Sequence, residues 1–265
     1  QTCALPIWCR FEEEIGRIVE GQAWGSMDIT EPDAGSDMAV LRTKAWQEEG
    51  QWMVSGTKLF ITSGHGQYHL VVARTEDAEN LDDPMAGLAG LSLFLVEAYT
   101  EDEDGTRIRK ATVERIEDKL GHHASATVMV RFDRTPGKLI GERGEGFKLM
   151  LRLMNNARVA VGFEALGMCE SAYRMAKDYA AERVSMGKTI DQHELIADIL
   201  DRMDTDIHAM RALGMKAAWH TEMAVRLKVK ARYMHEEGSE AQRQAERLSK
   251  QAQRYARSVT PLFKY

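Results

Sequence analysis

Two hydrophobic periods divide the chain. From Trp24 to about Phe132 apolar and polar positions alternate in short runs: Gly25–Thr30, Leu41–Gln47, Trp52–Val54, Lys58–Thr62, Leu70–Arg74, Leu91–Val96, Thr112–Ile116 and Thr127–Phe132. Glycine or acidic turns separate them, the signature of strands in a small antiparallel sheet or barrel. The stretch 76–90 reads as a long acidic, glycine-rich loop. Asp133–Gly146, with Pro136 and four glycines, reads as a linker.

Beyond Gly146 the period becomes helical. Phe147 to about Arg183 is apolar nearly all round through its middle, which predicts a central bundle helix. A second helix begins near Glu194, with Ile196, Ile199, Met203, Ile207, Met210 and Gly214 on one face. A third follows Gly238, where Ala241, Ala245, Leu248, Ala252, Tyr255 and Val259 form a narrow seam that Pro261 ends. Residues 10–22 carry a short charged helical pattern (Phe11, Ile15, Ile18, Val19) ending at Gly21. The expected fold class is therefore α+β. Residues 8–23 read as the end of a helical domain, 24–136 as an antiparallel β-domain and 137–265 as the first part of a helical bundle.

Composition narrows the function. A hydrophobic content of 44% over 265 residues suffices for a buried core. The net charge of −6, with no Lys/Arg block, makes nucleic acid a poor partner. Charged residues interrupt every apolar stretch before it reaches membrane-span length. The three cysteines, Cys3, Cys9 and Cys169, have no metal or disulfide spacing, which fits a reducing, cytoplasmic setting. The adjacent His122 and His123 have no Cys/Asp/Glu cluster beside them, and no metal is expected. Fifteen methionines fit adaptable helix packing.

The candidate chemistry sits in the β-region. Ile29-Thr30-Glu31-Pro32-Asp33-Ala34-Gly35-Ser36-Asp37-Met38 runs from an apolar strand end into a Pro/Gly/Ser turn bracketed by acids. Such a turn aims backbone N–H groups and the Thr30 and Ser36 hydroxyls at one small space, suited to a flavin edge or a pyrophosphate. Downstream, Gly56-Thr57-Lys58-Leu59-Phe60-Ile61-Thr62-Ser63-Gly64 offers an aromatic and hydroxyls on a second strand end. Taken alone, Thr30 and Ser36 would be ordinary turn residues and Phe60 a core aromatic.

Together the two strings resemble the flavin-binding β-domain of the acyl-CoA dehydrogenase family, over roughly residues 10–220. The Lys119-Leu120-Gly121 and Met154-Asn155-Asn156-Ala157-Arg158 runs, with the charged stretch 220–250, resemble the branch with an extended C-terminal region that includes methylthiopropionyl-CoA dehydrogenases. The resemblance implies FAD and an acyl-CoA thioester, with electrons passing to an electron-transfer flavoprotein and a homo-oligomeric enzyme. It places Met27, Ile29, Thr30, Gly35, Ser36, Phe60, Ile61 and Thr62 at the cofactor. Met27 would line the flavin face, the Ile29 backbone and Thr30 would touch the ring, and Thr62 would lie near flavin N5. Ser36 would reach the pyrophosphate or the acyl-CoA path. Phe60, commonly Trp in the family, would stack without supplying an indole N–H. Glu31 and Asp37 read as structural, bonding loop amides.

Arg158 interrupts the most apolar helix, where an unpaired guanidinium would cost several kcal/mol. A partner is expected, Glu164 or another acid. The resemblance instead puts Arg158 at the acyl-CoA cleft with Asn155 near the pantetheine. Arg183 reads either as a solvated cation at a helix C-terminus or, by the family motif, as a ligand to the FAD pyrophosphate of a neighbouring subunit. In that motif Met186 replaces the usual aromatic.

No catalytic residue is assigned. The family's base is a Glu in a later C-terminal segment, expected beyond Tyr265, or a residue just before the cleft arginine, here Ala157. Residues 1–7 read as translated sequencing adapter and the chain as a fragment, expected not to turn over and to hold little FAD. The apolar face of Met150, Met154, Val161 and Met168 would drive its association. Two other readings remain: a same-fold flavin-dependent oxidase or monooxygenase, and a non-catalytic acyl-CoA or flavin-binding module or helical scaffold.

Overall fold

The computed structural model of the protein describes residues 10–77, 86–102, 104–233, 236 and 238–264. These form two compact units, one ending at Leu151 and the other starting at Arg152.

The first unit opens with helix α1 (Glu12–Val19), stopped by Gly21 at φ +73°. Strands β1 (Gly25–Asp28), β2 (Lys44–Glu48), β3 (Gln51–Thr62), β4 (Tyr68–Arg74) and β5 (Leu91–Glu97) follow. After the small hairpin β6 (Tyr99–Glu101) and β7 (Arg107–Arg109) come β8 (Ala111–Ile116) and the long β9 (Thr127–Ile140). Strands β4, β5, β9, β3 and β2 pair in a circuit, with β1 attached to β4 and β8 to β9. One pair, Lys44–Arg74, closes it, helped by the Arg74 N–H donating to the Thr43 carbonyl at 2.7 Å. Most pairs are antiparallel, as expected; β1–β4 and β2–β4 run parallel, so the sheet is mixed.

Alternation explains the core. Phe94 and Val96 on β5 point inward to meet Val54, Val71, Val130 and Phe132. Leu95, between them, points outward and packs with Phe11, Ala23 and Tyr68 around α1. Because α1 covers the outer face, β5 is buried on both sides and reads as an unbroken apolar run.

Two sequence expectations change here. Trp52–Val54 and Lys58–Thr62 are one strand, with register shifts at Val54/Gly56 and Lys58/Ile61. The expected linker begins as strand: β9 continues through Pro136 and Gly137 to Ile140. Gly137 sits there because a Cβ would stand 3.3 Å from the Val54 and Val96 methyls. Part of the expected 76–90 loop lies outside the described residues.

The second unit takes up helix α2 (Gly146–Glu182) from Arg152, then the hairpin β10 (Val184–Ser185) and β11 (Lys188–Thr189), α3 (Glu194–Tyr233) and α4 (Glu240–Lys264). Leu166, Ile207, Ala217 and Phe263 form its core. On α4 the buried positions are Ala245, Ala252, Thr260 and Phe263, whereas Leu248 and Tyr255 of the expected seam stay largely exposed. The seam is therefore rotated by part of a turn. Pro261 does not end the helix; it lies in the last turn before Lys264. The expected apolar face on α2 is split as well: Met150 is buried, while Val161 and Met168 are exposed.

Candidate functional site

Strand β1 leads into a tight turn. Glu31 and Ala34 exchange backbone hydrogen bonds, N–H to carbonyl at 2.8 Å one way and 3.2 Å the other, with Pro32 and Asp33 between them. Proline suits the first central position of such a turn because its φ is already set. Asp37 then caps a short 3-10 turn (Met38–Val40) by accepting the Ala39 N–H at 3.0 Å. Arg74 holds that turn from the neighbouring strand, donating to the carbonyls of Ala39 (2.6 Å), Leu41 (3.0 Å) and Gly87 (3.0 Å).

Glu31 and Asp37 do bond loop amides. The Glu31 carboxylate accepts from the Arg42 N–H at 2.6 Å and the Thr43 N–H at 2.9 Å. Its third donor is Lys58, whose ammonium lies 2.8 Å from Oε1 and is fully buried. The same ammonium donates to the carbonyls of Ile29 (2.9 Å) and Val72 (2.8 Å). Burial alone would push the Glu31 carboxyl up. The Lys58 charge and the hydrogen-bond donors outweigh it and hold the group below its ordinary range. Burial pushes the Lys58 ammonium below the usual lysine value, and Glu31 and Asp28 pull it part of the way back.

Next to this pair lies a second buried polar group. The Ser26 hydroxyl donates to Asp28 Oδ1 at 2.6 Å, and His69 Nδ1 lies 2.9 Å from Asp28 Oδ2 and 3.0 Å from Ser26 Oγ. The three side chains are almost wholly buried, and the His69 ring meets Phe132 edge to face.

Phe60 is the other notable element. The register shift after Lys58 puts two residues, Leu59 and Phe60, where regular alternation has one. Lys58 and Ile61 therefore both point inward, at 0% and 2% exposure, while Phe60 is turned out at 60%. Its φ of +57° is left-handed, a conformation that costs a non-glycine residue about 1–3 kcal/mol and clusters at ligand sites. The Leu59 N–H, one residue earlier, donates to the Thr30 carbonyl at 2.8 Å, tying the two strings together.

The first unit brings most of the expected residues to one region. Met27, Ile29 and Thr30 are half-buried along the strand end, and Gly35, Ser36, Phe60 and Thr62 are exposed. Thr30 packs beside Gly35, its Cγ2 3.7 Å from where a Cβ would stand. Ile61 is different: its side chain is sunk in the barrel core, so it offers a ligand only its backbone. A groove of about 210 Å³ runs behind the turn, lined in part by Pro32, Asp33, Arg42 and Thr57, and none of the expected residues lines it. At the strand end, Ser63 donates its N–H to the Ala126 carbonyl at 2.8 Å. Lys119 secures the adjoining loop through the carbonyls of His122 and Ser125, both at 2.6 Å. His122 and His123 stand in that turn.

In the second unit, Arg158 is half-buried and donates to the amide oxygen Oδ1 of Asn155, one turn earlier, at 3.0 Å. Arg183 is exposed just past α2, where its carbonyl accepts the Ile190 N–H at 2.8 Å. The hairpin that follows turns at Met186 and Gly187, both with positive φ, and Met186 stands free at its tip. Among the described residues no group of three or more His, Cys, Asp or Glu side chains is arranged for a metal, and no helix is long and apolar enough to cross a membrane.

The role of Lys58 is not legible in the sequence, and neither are those of Ser26, Asp28, His69 and Arg74. A lysine in a strand reads as solvent-facing, yet Lys58 shares the inner face with Val54, and the bulge after it brings Ile61 inward as well.

Comparison with known proteins identifies the family. The family description "Acyl-CoA dehydrogenase, middle domain" matches residues 26–135, and "Acyl-CoA dehydrogenase, C-terminal domain" matches residues 144–252. The chain belongs to the acyl-CoA dehydrogenase family. It is 34% identical over 227 residues to a 3-methylmercaptopropionyl-CoA dehydrogenase of Ruegeria pomeroyi, covering 79% of this chain and 38% of that protein. It is 33% identical over 226 residues to a short-chain-specific acyl-CoA dehydrogenase of Megasphaera elsdenii, covering 82% of this chain and 55% of the relative. The chain thus spans well under two thirds of these acyl-CoA dehydrogenases. The solved butyryl-CoA dehydrogenase of Megasphaera elsdenii superimposes with a TM-score of 0.69 at 28% identity, over 99% of this chain and 73% of that one. The α+β order, a mixed sheet followed by helices, is that of this acyl-CoA dehydrogenase fold.

Proposed function

We propose that the chain is the β-domain and part of the C-terminal helical region of an FAD-dependent enzyme that introduces an α,β double bond into an acyl-CoA thioester. One observation carries this reading: Phe60 is held outward in a left-handed conformation beside Thr30, by residues that are themselves buried. An exposed aromatic face next to hydroxyls and a glycine-containing turn is the surface a flat, polar-edged cofactor needs, and the acidic Glu31 is turned inward and neutralised by Lys58. The residues present fit FAD.

When bound, FAD supplies the acceptor for the β-hydrogen leaving as hydride. The chain's own residues bind and orient. Phe60 offers a stacking face; Thr30 and Thr62 offer hydroxyls to the ring edge; Gly35 and Ser36 offer backbone and hydroxyl donors to the phosphates. In the second unit, Arg158, oriented by Asn155, supplies a cation for the CoA moiety, and Arg183 one for the FAD of a neighbouring subunit in a homo-oligomer. Ala157 has no proton acceptor, so we assign α-proton removal to a carboxylate outside this chain. An electron-transfer flavoprotein is the proposed electron acceptor and the cytoplasm the proposed location.

The test is anaerobic mixing of the protein, expressed from its natural reading frame, with acyl-CoA. Rapid loss of the oxidised flavin band supports the dehydrogenase. Bleaching only with an external reductase, followed by reaction with oxygen, would replace it with the oxidase or monooxygenase reading. Absence of any bound flavin would sink both.

A further inference from the structure

The Lys58 ammonium has three N–H bonds and three acceptors: the carbonyls of Ile29 and Val72 and the carboxylate of Glu31. Two of these acceptors belong to the residues on either side of Thr30. The carbonyl of Thr30 itself is held by the N–H of Leu59, the next residue along. The stretch Ile29-Thr30-Glu31 is thus held by the dipeptide Lys58-Leu59 through two backbone carbonyls and one side-chain carboxylate, and the following residue is the out-turned Phe60.

A buried lysine is an expensive way to fill a core position. Apolar side chains at both Lys58 and Glu31 would avoid desolvating the two charges and would commonly leave the fold as stable or more so. What they could not do is donate to three acceptors on two segments, the Ile29–Glu31 stretch and strand β4. Lys58 and Ile61 also point inward on either side of the Leu59–Phe60 bulge, and so define how far Phe60 is thrown out.

We infer that Lys58 is a positioning residue for the flavin site, setting Thr30 and Phe60 relative to one another; Glu31 serves as its counter-charge. The inference rests on the flavin reading above. It separates the task of placing the cofactor from that of stabilising the barrel.

The test compares wild type, Lys58→Met and the double variant Glu31→Gln/Lys58→Met, each made in the protein as expressed from its natural reading frame. Melting temperature, FAD dissociation constant and amide exchange at Leu59 and Ala34 are measured for each. K58M leaves a buried carboxylate without its cation and should melt early. The double variant removes that charge and should recover much of the melting temperature. In both, FAD binding should be about tenfold weaker or worse, the scale of one or two lost hydrogen bonds. Exchange at Leu59 should accelerate even without cofactor. If K58M does not fold, the double variant carries the same comparison. Wild-type FAD affinity and exchange in the double variant would show that Lys58 only neutralises Glu31 and would overturn the inference. A wild-type protein that binds no FAD would instead remove the flavin reading itself, and this inference with it.

Discussion

The Phe263 ring occupies the space a side chain on Gly214 would need: a Cβ there would stand 2.4 Å from the ring's Cζ. Gly162 on α2 meets the same ring at 2.5 Å, so the aromatic is inserted between two glycines on two helices. Alanine normally stabilises a helix interior by about 0.5–1 kcal/mol over glycine. Gly214→Ala should do the reverse and destabilise the second unit, because the ring is buried and cannot retreat freely. Gly167 on α2, with nothing within 4 Å, is the control, and Gly167→Ala should be neutral or stabilising. Denaturant melts of the two variants would decide; a stabilised Gly214→Ala would show that the ring can move aside.

Removing the ring should cost more than crowding it. Phe263→Ala would empty a site shared with Phe163, Leu166 and Ile207, and about 3–5 kcal/mol is the usual cost of such a cavity. A loss below 1 kcal/mol by urea titration would mean the end of α4 contributes little to this unit.

Phe60 predicts a conflict between stability and binding. Glycine adopts a φ of +57° without strain, so Phe60→Gly should stabilise the flavin-free protein by up to about 1 kcal/mol, partly offset by greater chain entropy on unfolding. The same change should weaken FAD binding, since the stacking face is gone. Calorimetry of the flavin-free form and fluorescence titration with FAD would show whether the two effects part in this way.

The Glu31 carboxyl titrates below its ordinary value of 4.5 in the folded chain, so the fold favours the ionised form. Its contribution to stability is therefore present above about pH 4.5 and lost as pH falls through the lower folded value. Glu31→Gln should be less stable than wild type near neutrality and should lose less on acidification. Melting temperatures between pH 3 and 7, about the range spanning that titration, would test it. Parallel curves for the two proteins would assign the acid sensitivity to other carboxylates.

His69→Leu should cost about 3 kcal/mol, because it leaves the wholly buried Asp28 with Ser26 but without its imidazole partner. If Asp28→Asn in the same background does not recover part of that loss, the penalty lies in packing against Phe132 and not in the buried carboxylate left without its partner.

Much of this was legible in the chain, for reasons that can be located. Strands β4 and β5 stand out because burial on both faces makes them continuous apolar runs, and the helices stand out through Gly21, Gly146 and Gly238 at their ends. The second half of β9 was hidden by Pro136 and Gly137, which look like a linker until the close approach of Val54 and Val96 is known. The parallel pairing of β1 was hidden because strand order is decided by contacts between distant segments. At the candidate site the turn and the aromatic were readable as residue types. Their support was not: Lys58 works through acceptors on the Ile29–Glu31 stretch and strand β4, Arg74 through carbonyls thirty-odd positions back along the chain, and neither relation has a local pattern.

The Lys58–Glu31 pair also restricts how this protein can have diverged. Losing either partner alone strands a charge inside the barrel, so each single replacement is a poor intermediate even where the finished double replacement would be tolerable. The two positions should consequently be inherited as a unit, both kept or both exchanged, while the neighbouring Asp33 and Arg42, whose contact lies in solvent, drift independently. Descent in this region would then proceed by rare paired steps against a background of free surface change.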